Sequence, residues 1–74
     1  MEREKRKKGR ALLAKNLKRL RREREWSQEE LWAQSGVHRT YLSTLERKQR
    51  NPSLDVLERL AEAFGVSIME LFRD

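Results

Sequence analysis

Cysteine is absent from the 74 residues, which excludes disulfide staples, thiolate metal sites and thiol nucleophiles. The single histidine, His38, cannot form a histidine metal cage alone, so neither a metal nor a cofactor is expected. With one proline and three glycines, interruptions of regular structure are few, and Gly36, Pro52 and Gly65 each become a strong punctuation mark. No apolar run approaches the roughly 20 residues of a membrane span, and no apolar stretch follows the basic N-terminus as in a secretory signal. The reading is one small soluble domain, cytoplasmic and nucleoid-associated, held together by hydrophobic packing alone.

What the chain has in abundance is charge. Lys and Arg number 18 against 12 Asp and Glu, for a net +6. Residues 1–50 carry sixteen basic and seven acidic side chains, whereas residues 51–74 carry two basic and five acidic. Such polarity suits a polyanionic partner on one half, nucleic acid before acidic membrane, or else a solvated basic surface.

Residues 1–10 are almost all charged and are read as a basic flexible tail preceding a domain over 11–74. From Ala11 the pattern becomes helical, with Leu13, Leu17 and Leu20 at i, i+4 and i+7. Ser27 and Glu30 form a capping box inside a Trp26–Leu31 hydrophobic staple, which starts a second helix. Val37 and Leu42 form a staple around a weaker cap, His38, and start a third. Ser53, or Asn51 with Pro52 at the first helical position, starts a fourth whose inward stripe is Leu57, Leu60, Ala61 and Phe64. Ser67 and Glu70 with Val66 and Leu71 repeat the box and staple for a short fifth. Gly36 and Gly65 stand where left-handed residues end helices. No segment alternates with period two, so the expectation is all-α, five helices and no sheet.

The second helix, Ser35-Gly36-Val37 and the third helix make a helix-turn-helix arrangement. The strings Ser27-Gln28-Glu29-Glu30-Leu31, Ser35-Gly36-Val37, Tyr41-Leu42-Ser43, Leu45-Glu46-Arg47, Arg50-Asn51-Pro52-Ser53-Leu54 and Leu60 to Ser67 follow in order and spacing. In these the chain resembles the lambda-repressor-like family of helix-turn-helix regulators over about residues 11–72. It departs from the pattern at Trp32, where the family usually has Ala, and at Lys48, where it usually has Gly. A large indole at Trp32 has to be met by altered packing or by turning outward.

Leu42 and Leu45 face inward, leaving Arg39, Thr40, Ser43, Thr44 and Arg47 as a cationic, acid-free outer face of the third helix. The resemblance implies that this helix enters the major groove of double-stranded DNA, with Arg39, Thr40, Thr44 and Ser43 at base edges. It implies a phosphate contact from Gln28, while the basic loop after the third helix offers Arg47, Lys48 and Arg50 to phosphates, and Tyr41 and Ser43 each carry a hydroxyl for the DNA backbone, although Tyr41 can also simply pack. An Arg21–Glu46 pair bracing the third helix is likewise implied. Within the tail, Arg3, Lys5, Arg6, Lys7, Lys8 and Arg10 can act as an arm on phosphates or the minor groove, or only as a solubiliser.

Ile68, Met69 and Phe72 are read as a homodimer interface, with closure of the monomer core as the other role for Ile68 and Phe72. The leading function is a sequence-specific transcriptional regulator, a repressor on an inverted-repeat operator. An antitoxin or restriction-modification controller type is a variant, and an adaptor that binds an unidentified protein is the alternative from another class. His38 has no acidic neighbour in its helix before Glu46 and no glycine-rich phosphate loop exists, so an enzyme is not expected.

Overall fold

Leucines three and four residues apart drive the packing. Leu13, Leu17 and Leu20 on the first helix meet Leu31, Val37, Leu42, Leu45, Leu60, Ala61, Phe64 and Leu71 in one core. A computed structural model describes residues 2–74, with side chains from Lys8 onward. The elements are α1 (Glu2–Glu23), α2 (Gln28–Ser35), α3 (Arg39–Glu46), α4 (Leu54–Phe64) and a terminal 3-10 helix (Ile68–Phe72). Among the described residues there is no strand. α1 lies against α3 and the 3-10 helix, while α2 packs on α3 and α4.

The capping signals act locally as physical chemistry requires. The Ser27 hydroxyl accepts from the Glu30 N–H at 3.0 Å, and the Ser53 hydroxyl accepts from the Val56 N–H at 3.1 Å. Ser53 is therefore the cap of α4. The return half of the Ser27 box is absent, because the Glu30 carboxylate accepts from Gln34 Nε2 at 2.9 Å instead. Gly36 and Gly65 end α2 and α4 at φ 76° and 73°, a conformation that a Cβ disfavours.

Two expectations about the ends change. The helical backbone begins at Glu2 rather than Ala11, since Lys, Arg and Glu are strong helix formers that propagate from a packed nucleus. The side chains of Arg3, Lys5, Arg6 and Lys7 lie outside the described residues. Lys8 faces Asp74 at 3.9 Å, and Arg10 Nε donates to Asn51 Oδ1 at 2.8 Å.

Among the described residues there are four α-helices, not five. Ile68–Phe72 forms a tight 3-10 helix, with Glu70 N–H donating to Ser67 C=O at 3.1 Å and no cap bond from the Ser67 hydroxyl. The Glu70 carboxylate is drawn to Arg19 and Arg73, at 2.9 and 2.8 Å, instead of back to the cap. Burial pushes the Glu70 pKa up, but the hydrogen bonds and charges of these two arginines outweigh it and hold the group below the usual carboxylate range.

Buried Asn16 secures the same corner. Its Nδ2 donates to the carbonyls of Leu12, Leu71 and Arg73 at 2.9, 3.1 and 2.8 Å, and its Oδ1 accepts from Arg19 Nε at 3.2 Å. Leu71 is fully buried, Ile68 and Phe72 pack half-buried on the core, and Met69 projects with 80% of its surface exposed.

Candidate nucleic-acid interface

The third helix is fixed from below by ions as well as leucines. Arg21 on α1 grips Glu46 on α3 with two hydrogen bonds, Nε to Oε2 at 2.7 Å and Nη2 to Oε1 at 2.9 Å. Its remaining nitrogen donates to the Trp26 carbonyl at 2.9 Å, joining the end of α1 to the entry of α2. The hydrogen bonds to Glu46 raise the Arg21 pKa, partly opposed by burial, so the guanidinium stays charged. Gln28 Nε2 adds a third bond to this carboxylate at 3.1 Å, which ties the first turn of α2 to the last turn of α3. The second N–H of the Gln28 amide remains available to another acceptor.

At the other end of α3, Trp32 of α2 meets the cap residue His38. Trp32 turns outward and lies against the His38 ring, with centroids 4.2 Å apart. His38 Nδ1 accepts from the Thr40 N–H at 2.9 Å, so an imidazole held by an indole caps the helix. Arg39 and Thr40 then emerge exposed at its start.

Ser43 and Thr44 are half-buried. The Ser43 hydroxyl accepts from Arg47 Nη1, and the Thr44 hydroxyl donates to the Tyr41 carbonyl at 2.6 Å while accepting from Arg50 Nε at 3.1 Å. Arg50 also lies over the Tyr41 ring, 4.2 Å from its centroid. Tyr41 is thus both core packing and a platform for a cation.

Beyond α3, Lys48 adopts φ 64°, the left-handed residue of a Schellman turn: its N–H donates to Leu45 C=O at 3.0 Å and the Gln49 N–H to Thr44 C=O at 2.9 Å. A Cβ in that conformation costs on the order of 1 kcal/mol. Arg47, Lys48 and Arg50 are exposed around this turn.

The structure therefore gathers Arg39, Thr40, Ser43 and Thr44 on α3, with Arg47 as its C-cap and Gln28, Lys48 and Arg50 around it. Ile68, Met69 and Phe72 sit together on the terminal 3-10 helix. The residue that sequence reasoning missed is Glu29 on α2, whose Oε2 stands 3.2 Å from Arg39 Nε. The outer face is acid-free along α3 itself, but α2 brings one carboxylate to its edge. Among the described residues no group of three or more His, Cys, Asp or Glu side chains is placed to hold a metal, and no helix is long and apolar enough to cross a membrane.

Two short helices joined by a tight left-handed turn, the second presenting its polar face, define a helix-turn-helix domain. The helix-turn-helix family profile matches residues 17–71, and the chain belongs to the lambda-repressor-like helix-turn-helix family. It is 52% identical over 62 residues to an uncharacterized HTH-type transcriptional regulator, y4dJ, of Sinorhizobium fredii, across 84% of this chain and 80% of that one. The crystal structure of a hypothetical transcription factor from Neisseria superposes with a TM-score of 0.83 at 45% identity, covering 88% of this chain and 75% of the other. The restriction-modification controller protein C.AhdI from Aeromonas hydrophila superposes with a TM-score of 0.80 at 38% identity, covering 85% and 96%.

Proposed function

We propose that this protein is a sequence-specific transcriptional regulator that binds double-stranded DNA through the major groove, and that it acts as a repressor on an inverted-repeat operator. The observation that carries the reading is the presentation of α3. Its inner side is clamped by Arg21, Glu46 and Gln28, while Arg39 and Thr40 project from its start. Arg39 reads guanine, and Thr40, Ser43 and the methyl group of Thr44 contact neighbouring bases. Gln28, Arg47, Lys48 and Arg50 hold phosphates, with Tyr41 supporting Arg50.

A homodimer gives this reader its second half-site, one duplex turn or about 34 Å away. The support is the apolar surface around the terminal 3-10 helix, where Met69 is exposed beside half-buried Ile68 and Phe72. An open hollow of about 460 Å³ lined by Gly9, Arg10, Leu13, Asn51, Pro52, Leu57 and Phe72 adjoins it. Likeness to C.AhdI favours a second, narrower reading, control of a restriction-modification operon that includes the regulator's own gene.

Selection from a random duplex pool at physiological salt tests the main reading. Enrichment of an inverted repeat supports it, and a retained pool without sequence preference sinks it. Binding of the DNA upstream of the protein's own gene separates the controller reading from a regulator of other genes.

A further inference from the structure

Glu29 occupies the second position of α2 and Arg39 the first position of α3. Their side chains meet across the turn, with 53% of the arginine and 64% of the glutamate side chain exposed. A guanidinium carries two forks, one formed by Nε and an Nη and one by the two Nη groups. Arg21 uses the first fork on Glu46. In Arg39 the nitrogen nearest the carboxylate is Nε, at 3.2 Å, which leaves the fork of the two Nη groups for another acceptor on a side chain that is 53% exposed. A terminal fork of this kind fits the O6 and N7 acceptors of guanine in the major groove.

The pair has two opposed consequences. An exposed arginine loses much rotamer entropy on binding, and a carboxylate that already holds its guanidinium reduces that loss. The same carboxylate repels phosphate and weakens attraction to every duplex, whatever its sequence.

We propose that Glu29 is a positioning residue that presents the terminal guanidinium fork of Arg39 to a guanine, raising discrimination while lowering general affinity. This rests on Arg39 being a base reader. The test uses the duplex enriched by selection and copies in which each guanine is replaced in turn by adenine, with complementary changes opposite. Affinities are measured for the wild type, Glu29→Ala, Glu29→Gln, Arg39→Ala and the Glu29→Ala/Arg39→Ala double variant. The guanine-to-adenine affinity ratio cancels any change in the folded fraction, so a purely structural role does not move it.

Arg39→Ala is expected to lower the ratio at one position by about fivefold or more. Glu29→Ala is expected to lower the same ratio about two- to fivefold, as for an exposed ion pair, while raising affinity for an unrelated duplex. Glu29→Gln keeps a carbonyl acceptor and retains most of the ratio, and Glu29→Ala leaves the ratio unchanged in the Arg39→Ala background. A Glu29→Ala protein that binds all duplexes more tightly with an unchanged ratio overturns the proposal, as does an equal loss in the Arg39→Ala background. If Arg39→Ala alters no ratio, the base-reader reading fails first and the proposal falls with it.

Discussion

Glu46→Ala is the perturbation whose size follows most directly from the structure. It removes a carboxylate whose side chain is only 6% exposed and leaves Arg21, 15% exposed, without its ionic partner. Two hydrogen bonds from Arg21 and one from Gln28 vanish, leaving both donors beneath the last turn of α3. Breaking a buried pair from one side costs about 3–5 kcal/mol, and the lower end applies because water reaches the partly open arginine. For a domain of this size about 3 kcal/mol is a large share of the total stability and lowers the melting temperature by about 12–24 °C. Urea unfolding followed by helical circular dichroism should show the midpoint falling at constant slope. Replacing both partners with apolar residues, Arg21→Met with Glu46→Leu, should recover most of the loss. A Glu46→Ala penalty below about 0.5 kcal/mol, the size for an exposed pair, refutes the claim that this clamp braces the reading helix.

Other consequences separate stability from binding. Lys48→Gly relieves the left-handed strain and should stabilise the fold by about 0.5–1 kcal/mol net of the greater freedom of the unfolded chain, while its loss of a cation should shrink the salt dependence of DNA binding by about one phosphate contact. Stabilisation without a change in salt slope would remove Lys48 from the phosphate set. Asn16→Ala leaves the buried Leu71 carbonyl without its side-chain donor and should cost about 2 kcal/mol, with faster hydrogen exchange in the terminal 3-10 helix before the rest of the domain. Exchange that rises evenly across the chain would contradict that local role. The folded-state pKa of Glu70 is depressed, so its contribution is complete above the ordinary carboxylate range and is lost as pH falls through the folded value. Acid titration below roughly pH 4 should loosen the 3-10 helix, and Glu70→Gln should flatten that part of the profile.

Most helix boundaries were legible because they are encoded within a few residues. Ser27, Ser53, Gly36 and Gly65 act through bonds and dihedral angles that short-range sequence dictates, and the leucine spacing of α1 and α4 names the core. The start of α1 was not legible from apolar spacing, since a charged helix that extends from a packed one needs no inward stripe. The last segment had the letters of a capping box, but Glu70 is claimed by Arg19, which is close only after folding. Two helix ends also lack glycine: Glu25, at φ 56°, and Lys48 take the left-handed position themselves. In the candidate interface, residue types on α3 were readable from the family pattern, whereas contacts between α2 and α3 were not. Trp32 against His38, and Glu29 beside Arg39, become neighbours only through the geometry of the turn.

Under the proposed function the outer face of α3 reads base edges. The most direct test is the affinity of wild-type and Arg39→Ala protein for the selected duplex and for a shuffled duplex of equal length, at one salt concentration. Base reading by Arg39 gives a strong wild-type preference for the selected duplex that falls by about 5- to 150-fold in the variant, with only a small loss on the shuffled duplex. Equal losses on both duplexes would show that Arg39 contributes charge alone, and would contradict the claim.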